Sequence, residues 1–214
     1  MTQLIIHGRQ TSSNVQAVTW TAAELGLSFE RLDVGGAYGG TDTAEYKSMN
    51  PMGLVPTLQD GDVILFESCA IVRYLAARYG DARFWPADPV ERAKLDQWAE
   101  WAKGTFTRAV IYDVFWTLIR TPKAERNMEA LAASVKNVAH LAKIIDQRIG
   151  AGPYLAGENF TFADIVVGHV LYRYYTLDFE RTLTQSLIVG IQMRCRRPAF
   201  VDHSMIDYSP LKVE

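Results

Sequence analysis

The chain has 214 residues and only two cysteines, Cys69 and Cys195. They lie far apart, one in each half, too few for a disulfide framework, and the plain reading is a cytoplasmic compartment. Both read as small hydrophobes buried on helices. No Cys-x-x-Cys follows the first strand, so dithiol redox chemistry lacks its reagent. No apolar run reaches the length of a membrane span, and the opening MTQLIIHGRQ lacks a signal-peptide layout. Neither charge sign dominates: 22 basic against 24 acidic residues leave a net charge of −2. That excludes a nucleic-acid footprint and gives no basic surface for an anionic membrane. The histidines, His7, His140, His169 and His203, are scattered without ligand spacing, so no metal is expected. There is no Gly-x-Ser-x-Gly elbow, no phosphate-binding Walker loop, no internal repeat and no low-complexity segment. The glycines of 35–40 (GGAYGG) have the wrong spacing for a dinucleotide fingerprint, and no helix opens directly after them.

What is present divides at a proline-broken linker, 80–89 (GDARFWPADP), which contains Pro86 and Pro89. Before it, Leu4-Ile5-Ile6 reads as a buried strand and 8–13 (GRQTSS) as a polar turn. From Asn14 the pattern is helical, through Val15, Val18, Ala22 and Leu25, closed by Gly26. Residues 29–34 alternate as a second strand, and the strand–helix–strand order predicts a parallel pair with a right-handed crossover. A short irregular helix is expected over 42–49. After the linker the pattern is almost wholly helical. One stripe runs through Leu95, Trp98, Ala99, Ala102, Phe106, Ala109 and Val110 over 90–119. A second runs through Leu131, Val135, Val138, Ala142, Ile145 and Ile149 over 124–149, with Pro122 between them. Thr161 and Asp164 are spaced as a capping box, each satisfying an orphan backbone N–H. A last helix is expected from Leu183 to Arg196, ended before Pro198.

The chain is organised around 50–75, NPMGLVPTLQDGDVILFESCAIVRYL. Asn50-Pro51 and Gly53 mark a loop. A proline-led strand follows from Val55, Asp60-Gly61 signals a tight hairpin, and Val63 to Phe66 is the return strand. Ser68 reads as the N-cap of the next helix. This pattern, with the Arg196–Phe200 phrase RRPAF near the end, resembles the cytosolic glutathione transferases over nearly the whole chain. The resemblance implies a thioredoxin-like α/β domain (1–80) followed by an all-helical bundle (90–214). It implies glutathione as co-substrate, a cis Val55-Pro56 bond, and backbone pairing of Val55 with the cysteinyl group. It places Leu54 and Pro56 beside that group, with Glu67 and Ser68 on the γ-glutamyl end. A helix N-terminus with free N–H groups suits a carboxylate there.

In the serine-type classes of this family the catalytic serine stands six residues before a helical valine. Counting back from Val18 gives Ser12, with Ser13 as the competing neighbour and Thr11 and Asn14 also in reach. No tyrosine or cysteine occupies this turn, so the tyrosine-type and cysteine-type chemistries lose their usual residue. A free thiol has a pKa near 8.5. A hydroxyl donating to the thiolate contributes about 1.5–3 kcal/mol, which lowers that pKa by about one to two units. The serine stabilises a nucleophile that the co-substrate carries and need not ionise. Gly53 and Leu54 stand where several classes carry a polar grip on glutathione, leaving Arg9, Gln10 and Lys47 as substitutes for the glycyl end.

The expected partner is a small apolar electrophile, met from the helical half by Trp101, Thr105, Arg108, Tyr112, Phe115 and Trp116, which lie off the first stripe. Tyr172, Arg173, Tyr174 and Tyr175 form a second aromatic patch. The resemblance also implies a homodimer and a role in detoxification. Glutathione-dependent isomerase, dehalogenase or peroxidase activity, and a non-catalytic binding or regulatory role, stand as alternatives on the same fold.

Overall fold

A computed structural model describes residues 4–150, 152–181 and 184–214. Its first half carries one sheet in the order β2-β1-β3-β4. The strands are β1 (Leu4–His7), β2 (Phe29–Leu32), β3 (Thr57–Asp60) and β4 (Val63–Phe66). β1 and β2 run parallel with Leu4 opposite Phe29, and helix α1 (Ser13–Glu24) makes the crossover between them. β3 is antiparallel to both β1 and β4. α2 (Ala44–Met49) precedes β3, and α3 (Ser68–Tyr79) follows β4. This is the thioredoxin-like layout that the sequence predicts.

The hairpin differs by one residue from expectation. Asp60 still pairs with Val63, so the loop is Gly61-Asp62, with Gly61 at φ 60°. Asp60 remains in the ladder because its carboxylate accepts from the hydroxyls of Tyr74 (2.7 Å) and Tyr79 (2.6 Å) on α3.

Two cores explain how the halves join. Leu4, Ile6 and Leu58 on the sheet pack against Val15, Val18, Ala22, Ile71 and Leu75 from α1 and α3. The opposite faces of the same two helices, carrying Ala17, Trp20, Val72 and Ala76, belong to the core of the helical half. Trp20 and Val72 are fully buried there. Each large apolar side chain so buried contributes about 1.5–3 kcal/mol, so α1 and α3 are held from both sides.

The helical half opens with α4 (Pro89–Trp101), capped by Asp88, whose carboxylate accepts from the N–H groups of Val90 and Glu91, with Pro89 at the first position. Beyond Trp101 the helix continues with wide, π-type winding over Ala102–Phe106 and Ala109–Arg120. Such winding is rare and tends to mark functional regions. Each wide turn takes one more residue, which moves the buried stripe off its α-helical period. Phe115, expected off the first stripe on the electrophile-facing aromatic face, therefore lies in the core, while Tyr112 and Trp116 stay exposed.

The remaining helices are α5 (Met128–Ile149), α6 (Phe162–Gly168), α7 (Leu171–Thr176), α8 (Gln185–Cys195) and α9 (Pro198–Ser204). α5 begins later than expected because Asn127 caps it, accepting from the Ala130 N–H at 3.0 Å. The expected last helix stops at Cys195; its proposed first residue, Leu183, lies outside the described residues. Pro198 then starts a further helix rather than only ending one, since proline suits a first helical position. Cys195 is exposed and Cys69 half-buried, so neither is the fully buried hydrophobe expected. Among the described residues no helix is long and apolar enough to cross a membrane.

The capping box forms as expected. Asp164 is fully buried and accepts from the Thr161 N–H and Oγ (both 3.0 Å), the Leu155 N–H (2.9 Å) and Arg194 Nη2 (3.1 Å). His169, at the end of α6, is also buried and donates from Nδ1 to the Val166 carbonyl at 2.8 Å. Burial first, then the charges of Lys103 and Arg173, push its pKa from 6.5 to about 3. The native protein thus refuses a proton that the unfolded chain accepts below 6.5, so stability falls as pH drops from 6.5 toward 3. At pH 5 the expected loss is about 2 kcal/mol relative to neutrality. Denaturant unfolding of native protein and His169→Gln at both pH values checks this: the variant should show a smaller acid loss.

Candidate active site

The site is built on the turn between β1 and α1. Nearly every backbone group in that turn is engaged. Gly8 N–H donates to Leu32 O (2.8 Å), Arg9 N–H to Val34 O (3.1 Å) and Ser12 N–H to Arg9 O (3.1 Å). Arg31 Nη1 reaches Gly8 O (2.9 Å), Gln16 Nε2 reaches Gln10 O (3.0 Å) and Arg173 Nη2 reaches Thr11 O (2.6 Å). Only glycine fits at position 8: φ is 153°, and a Cβ there would lie 2.4 Å from Val15 and 3.2 Å from Val55. That close approach brings the turn against the Val55 loop.

Ser12 is the N-cap of α1, with φ −83° and ψ 122°, and Ser13 is the first helical residue. Both are buried, at 8% and 7% exposure. The Ser12 side chain makes no hydrogen bond to the helix it caps. Its hydroxyl therefore stands at the positive end of α1 without the usual task of an N-cap serine.

The Val55-Pro56 bond is cis, as the family resemblance implies. A buried polar group clamps the loop from below. The Leu54 carbonyl accepts from the Tyr46 hydroxyl (2.7 Å) and Asn50 Nδ2 (2.8 Å), and both of those also meet Thr57 Oγ1. Leu54 itself is exposed and Pro56 buried. Among the described residues neither the N–H nor the C=O of Val55 has a partner. Gly53, at φ 62°, lies where a Cβ would be 3.8 Å from Lys47 Cε, so Lys47 runs along this loop.

At the start of α3 the cap differs from expectation. Glu67, not Ser68, is the N-cap, and Glu67 has φ 69°, the one non-glycine positive φ among the described residues. Such a conformation costs on the order of 1–3 kcal/mol and is typical of functional sites. Ser68 is buried as the first helical residue because its hydroxyl is used elsewhere. Lys103 Nζ donates to Ser68 Oγ (3.0 Å) and to Asn14 Oδ1 (2.7 Å), joining α3, α1 and the π-wound segment of the helical half. Lys103 makes no ion pair among the described residues. The sequence reading missed Lys103. Its only signal there was a lysine one turn beyond the Trp98–Ala99 stripe, indistinguishable from a solvated charge. Arg73 fixes this arrangement, with Nε on Asp96 at 2.7 Å.

The structure therefore brings Ser12, Ser13, Val55, Pro56, Glu67 and Ser68 to one end of α1 and α3, and adds Asn14 and Lys103. A cleft of about 670 Å³ opens at the other end of α1, walled by Glu24, Tyr154, Phe160 and Arg197, and does not adjoin Ser12.

Residues 3–77 match the family of glutathione S-transferase N-terminal domains, and residues 107–185 match the glutathione S-transferase C-terminal domain. The chain belongs to the glutathione S-transferase family. It is 36% identical over 208 residues to the glutathione S-transferase GstB of Escherichia coli K12, covering 96% of this chain and 100% of that one. It is 32% identical over 174 residues to human glutathione S-transferase theta-2, covering 77% and 69% of the two chains. Among solved structures it resembles the theta-class glutathione S-transferase of the citrus canker pathogen Xanthomonas axonopodis pv. citri with glutathione bound. The TM-score is 0.90, with 40% identity and 97% and 99% of the two chains covered.

Proposed function

We propose that this protein is a cytoplasmic glutathione transferase. It holds glutathione across the ends of α1 and α3 and directs its thiolate at an electrophilic carbon. The observation that carries this reading is the meeting of three features at one place: the Ser12 hydroxyl, which makes no bond to the helix it caps, the Val55 backbone pair, without partners among the described residues, and the hydrogen-bonded Ser68–Asn14–Lys103 group. Each suits one part of the tripeptide. Ser12 donates to the cysteinyl sulfur. Val55 pairs with the cysteinyl N–H and C=O. Glu67 and Ser68, with Lys103 beside them, hold the ammonium and carboxylate of the γ-glutamyl end. Lys47, along the Gly53 loop, serves the glycyl carboxylate. The sulfur–carbon bond forms as the leaving group departs with its electron pair, and the thiol proton passes to solvent. We assign the first domain to 1–80 and the second to 90–214, and place the protein as a homodimer in detoxification.

Calorimetric titration with glutathione at neutral pH tests this. Saturable binding at one site per chain, millimolar or tighter, is the expected result. No binding would leave the fold as a carrier or regulatory module.

Lys103 has its own test. A charge-assisted hydrogen bond is worth about 1.5–3 kcal/mol, so Lys103→Met should weaken glutathione binding by roughly 10- to 100-fold. The rate at saturating glutathione should change far less. Unchanged affinity would remove Lys103 from the site.

A further inference from the structure

The turn that carries Ser12 is reached from the helical half by one buried cation. Arg173, on α7, is 3% exposed and donates from Nη2 to the Thr11 carbonyl at 2.6 Å. Among the described residues it is the only side chain of the helical half hydrogen-bonded to residues 8–13. That carbonyl belongs to the same peptide as the Ser12 N–H, which donates to Arg9 O at 3.1 Å. The peptide is therefore held at both ends. Its neighbours are held too, Gln10 O by Gln16 Nε2 (3.0 Å) and Ser12 O by the Gln16 N–H (2.9 Å). Only the Ser12 side chain is left without a bond to its helix.

Holding a carbonyl does not of itself call for a charge. Among the described residues Arg173 makes no ion pair. Asp207 is engaged with the N–H (2.8 Å) and Oγ (2.6 Å) of Ser209, and the Tyr208 hydroxyl meets Thr176 Oγ1 at 2.9 Å. What offsets the buried charge is aromatic. The guanidinium lies 4.4 Å from the centre of the Phe115 ring and 6.0 Å from that of Tyr208, and those two rings meet edge-on with centroids 5.3 Å apart. Burial lowers the pKa of Arg173 to about 10, so it stays charged at neutral pH. A buried cation without an anion stabilises a fold no better than an apolar side chain of similar volume. Its use lies in what it holds: a charge-assisted hydrogen bond is about twice as strong as a neutral one.

We propose that Arg173 is a positioning residue for the thiolate-stabilising serine: reaching in from the helical half, it pins the Thr11–Ser12 peptide and so sets where the Ser12 hydroxyl meets the sulfur. This rests on the glutathione-transfer reading above and adds to it a residue that acts only through Ser12. The physical link is short. Turning that peptide swings the Ser12 Cα–Cβ bond with it, and a hydroxyl displaced by about 1 Å loses most of its hydrogen bond.

The test is the thiol titration of bound glutathione, followed by thiolate absorbance at saturating glutathione. It is run on the native protein, on Arg173→Met and Arg173→Gln, and on each of these combined with Ser12→Ala. Glutamine keeps an N–H donor but is too short to reach Thr11 O. In either single variant the bound thiol should titrate about half a unit to one unit above its native value. In the Ser12→Ala background the same change should move it by less than about 0.2 unit, because a residue acting through Ser12 then has nothing to position. Arg173→Lys, a charged donor of intermediate reach, should recover part of the shift. Glutathione affinity in the single variants should stay within about threefold. Should the methionine variant not fold, the glutamine variant carries the same expectation. A thiol that keeps its native value in a folded Arg173→Met or Arg173→Gln protein overturns this inference alone, whatever the melting temperature does. So does an equal shift with and without Ser12, or a loss of affinity without a shift. A native protein whose bound thiol titrates like free glutathione removes the transferase reading and this inference with it.

Discussion

Replacing Ser12 by alanine should cut kcat/KM for conjugation by roughly 8- to 25-fold at neutral pH, and most of the loss should disappear at alkaline pH. In its proposed role the hydroxyl contributes about 1.5–3 kcal/mol to the thiolate, which is one to two pKa units. Without it the bound thiol returns toward its ordinary value near 8.5, and at pH 7 the thiolate falls from a quarter or more to about 3%. A lowered thiol pKa means activity is present above the depressed value and lost as pH falls through it. The alanine variant's pH–rate profile should therefore lie one to two units to the alkaline side. Ser13→Ala should leave the profile in place, because Ser13 is already inside the helix, whereas Ser12 stands at its mouth with no hydrogen bond to the cap. If only the Ser13 change moves the profile, the assignment of Ser12 is wrong.

The second large effect is on stability. Asp164→Ala should cost about 3–5 kcal/mol, because it leaves the Arg194 guanidinium buried without its anion. It also strips acceptors from the Leu155 and Thr161 N–H groups. For a chain of this size that is on the order of a 10 °C fall in melting temperature. Arg194→Met should cost less, since the carboxylate keeps its bonds to Thr161 and Leu155. Asp164→Ala combined with Arg194→Met should recover part of the loss. Asp164 touches none of the residues around Ser12, so the folded fraction of each variant should keep its rate at saturating glutathione. A rate collapse without a stability loss would make Asp164 a participant in the chemistry instead.

The parts legible in the sequence are those with local physical causes. The Thr161–Asp164 box, the apolar run of β1 and the alternation of β2 act within a few residues, and each forms as expected. The proposal of Val55, Glu67 and Ser68 as glutathione-binding positions comes only from the family pattern, since nothing local distinguishes that segment from an ordinary hairpin and helix. Three misreadings share another cause, a tertiary contact that overrides a local preference. Ser68 would cap α3 in isolation, but Lys103 and Asn14 claim its hydroxyl. Phe115 follows a π-type rather than an α-type period and turns inward toward Arg173 and Tyr208. Asp60 would serve a turn, but two tyrosines of α3 keep it in the sheet. Lys103 was invisible for the same reason: 35 residues of chain separate it from Ser68, and only the fold of the π-wound segment against the start of α3 brings them to 3.0 Å.

The central claim is that this site makes a thiolate of glutathione. The direct measurement is the ultraviolet absorbance of the thiolate on the native protein with saturating glutathione, followed from about pH 5 to pH 10 against free glutathione. A bound thiol titrating one to two units below its free value is the predicted result. A bound thiol titrating at its free value, or no bound glutathione at all, would contradict the account.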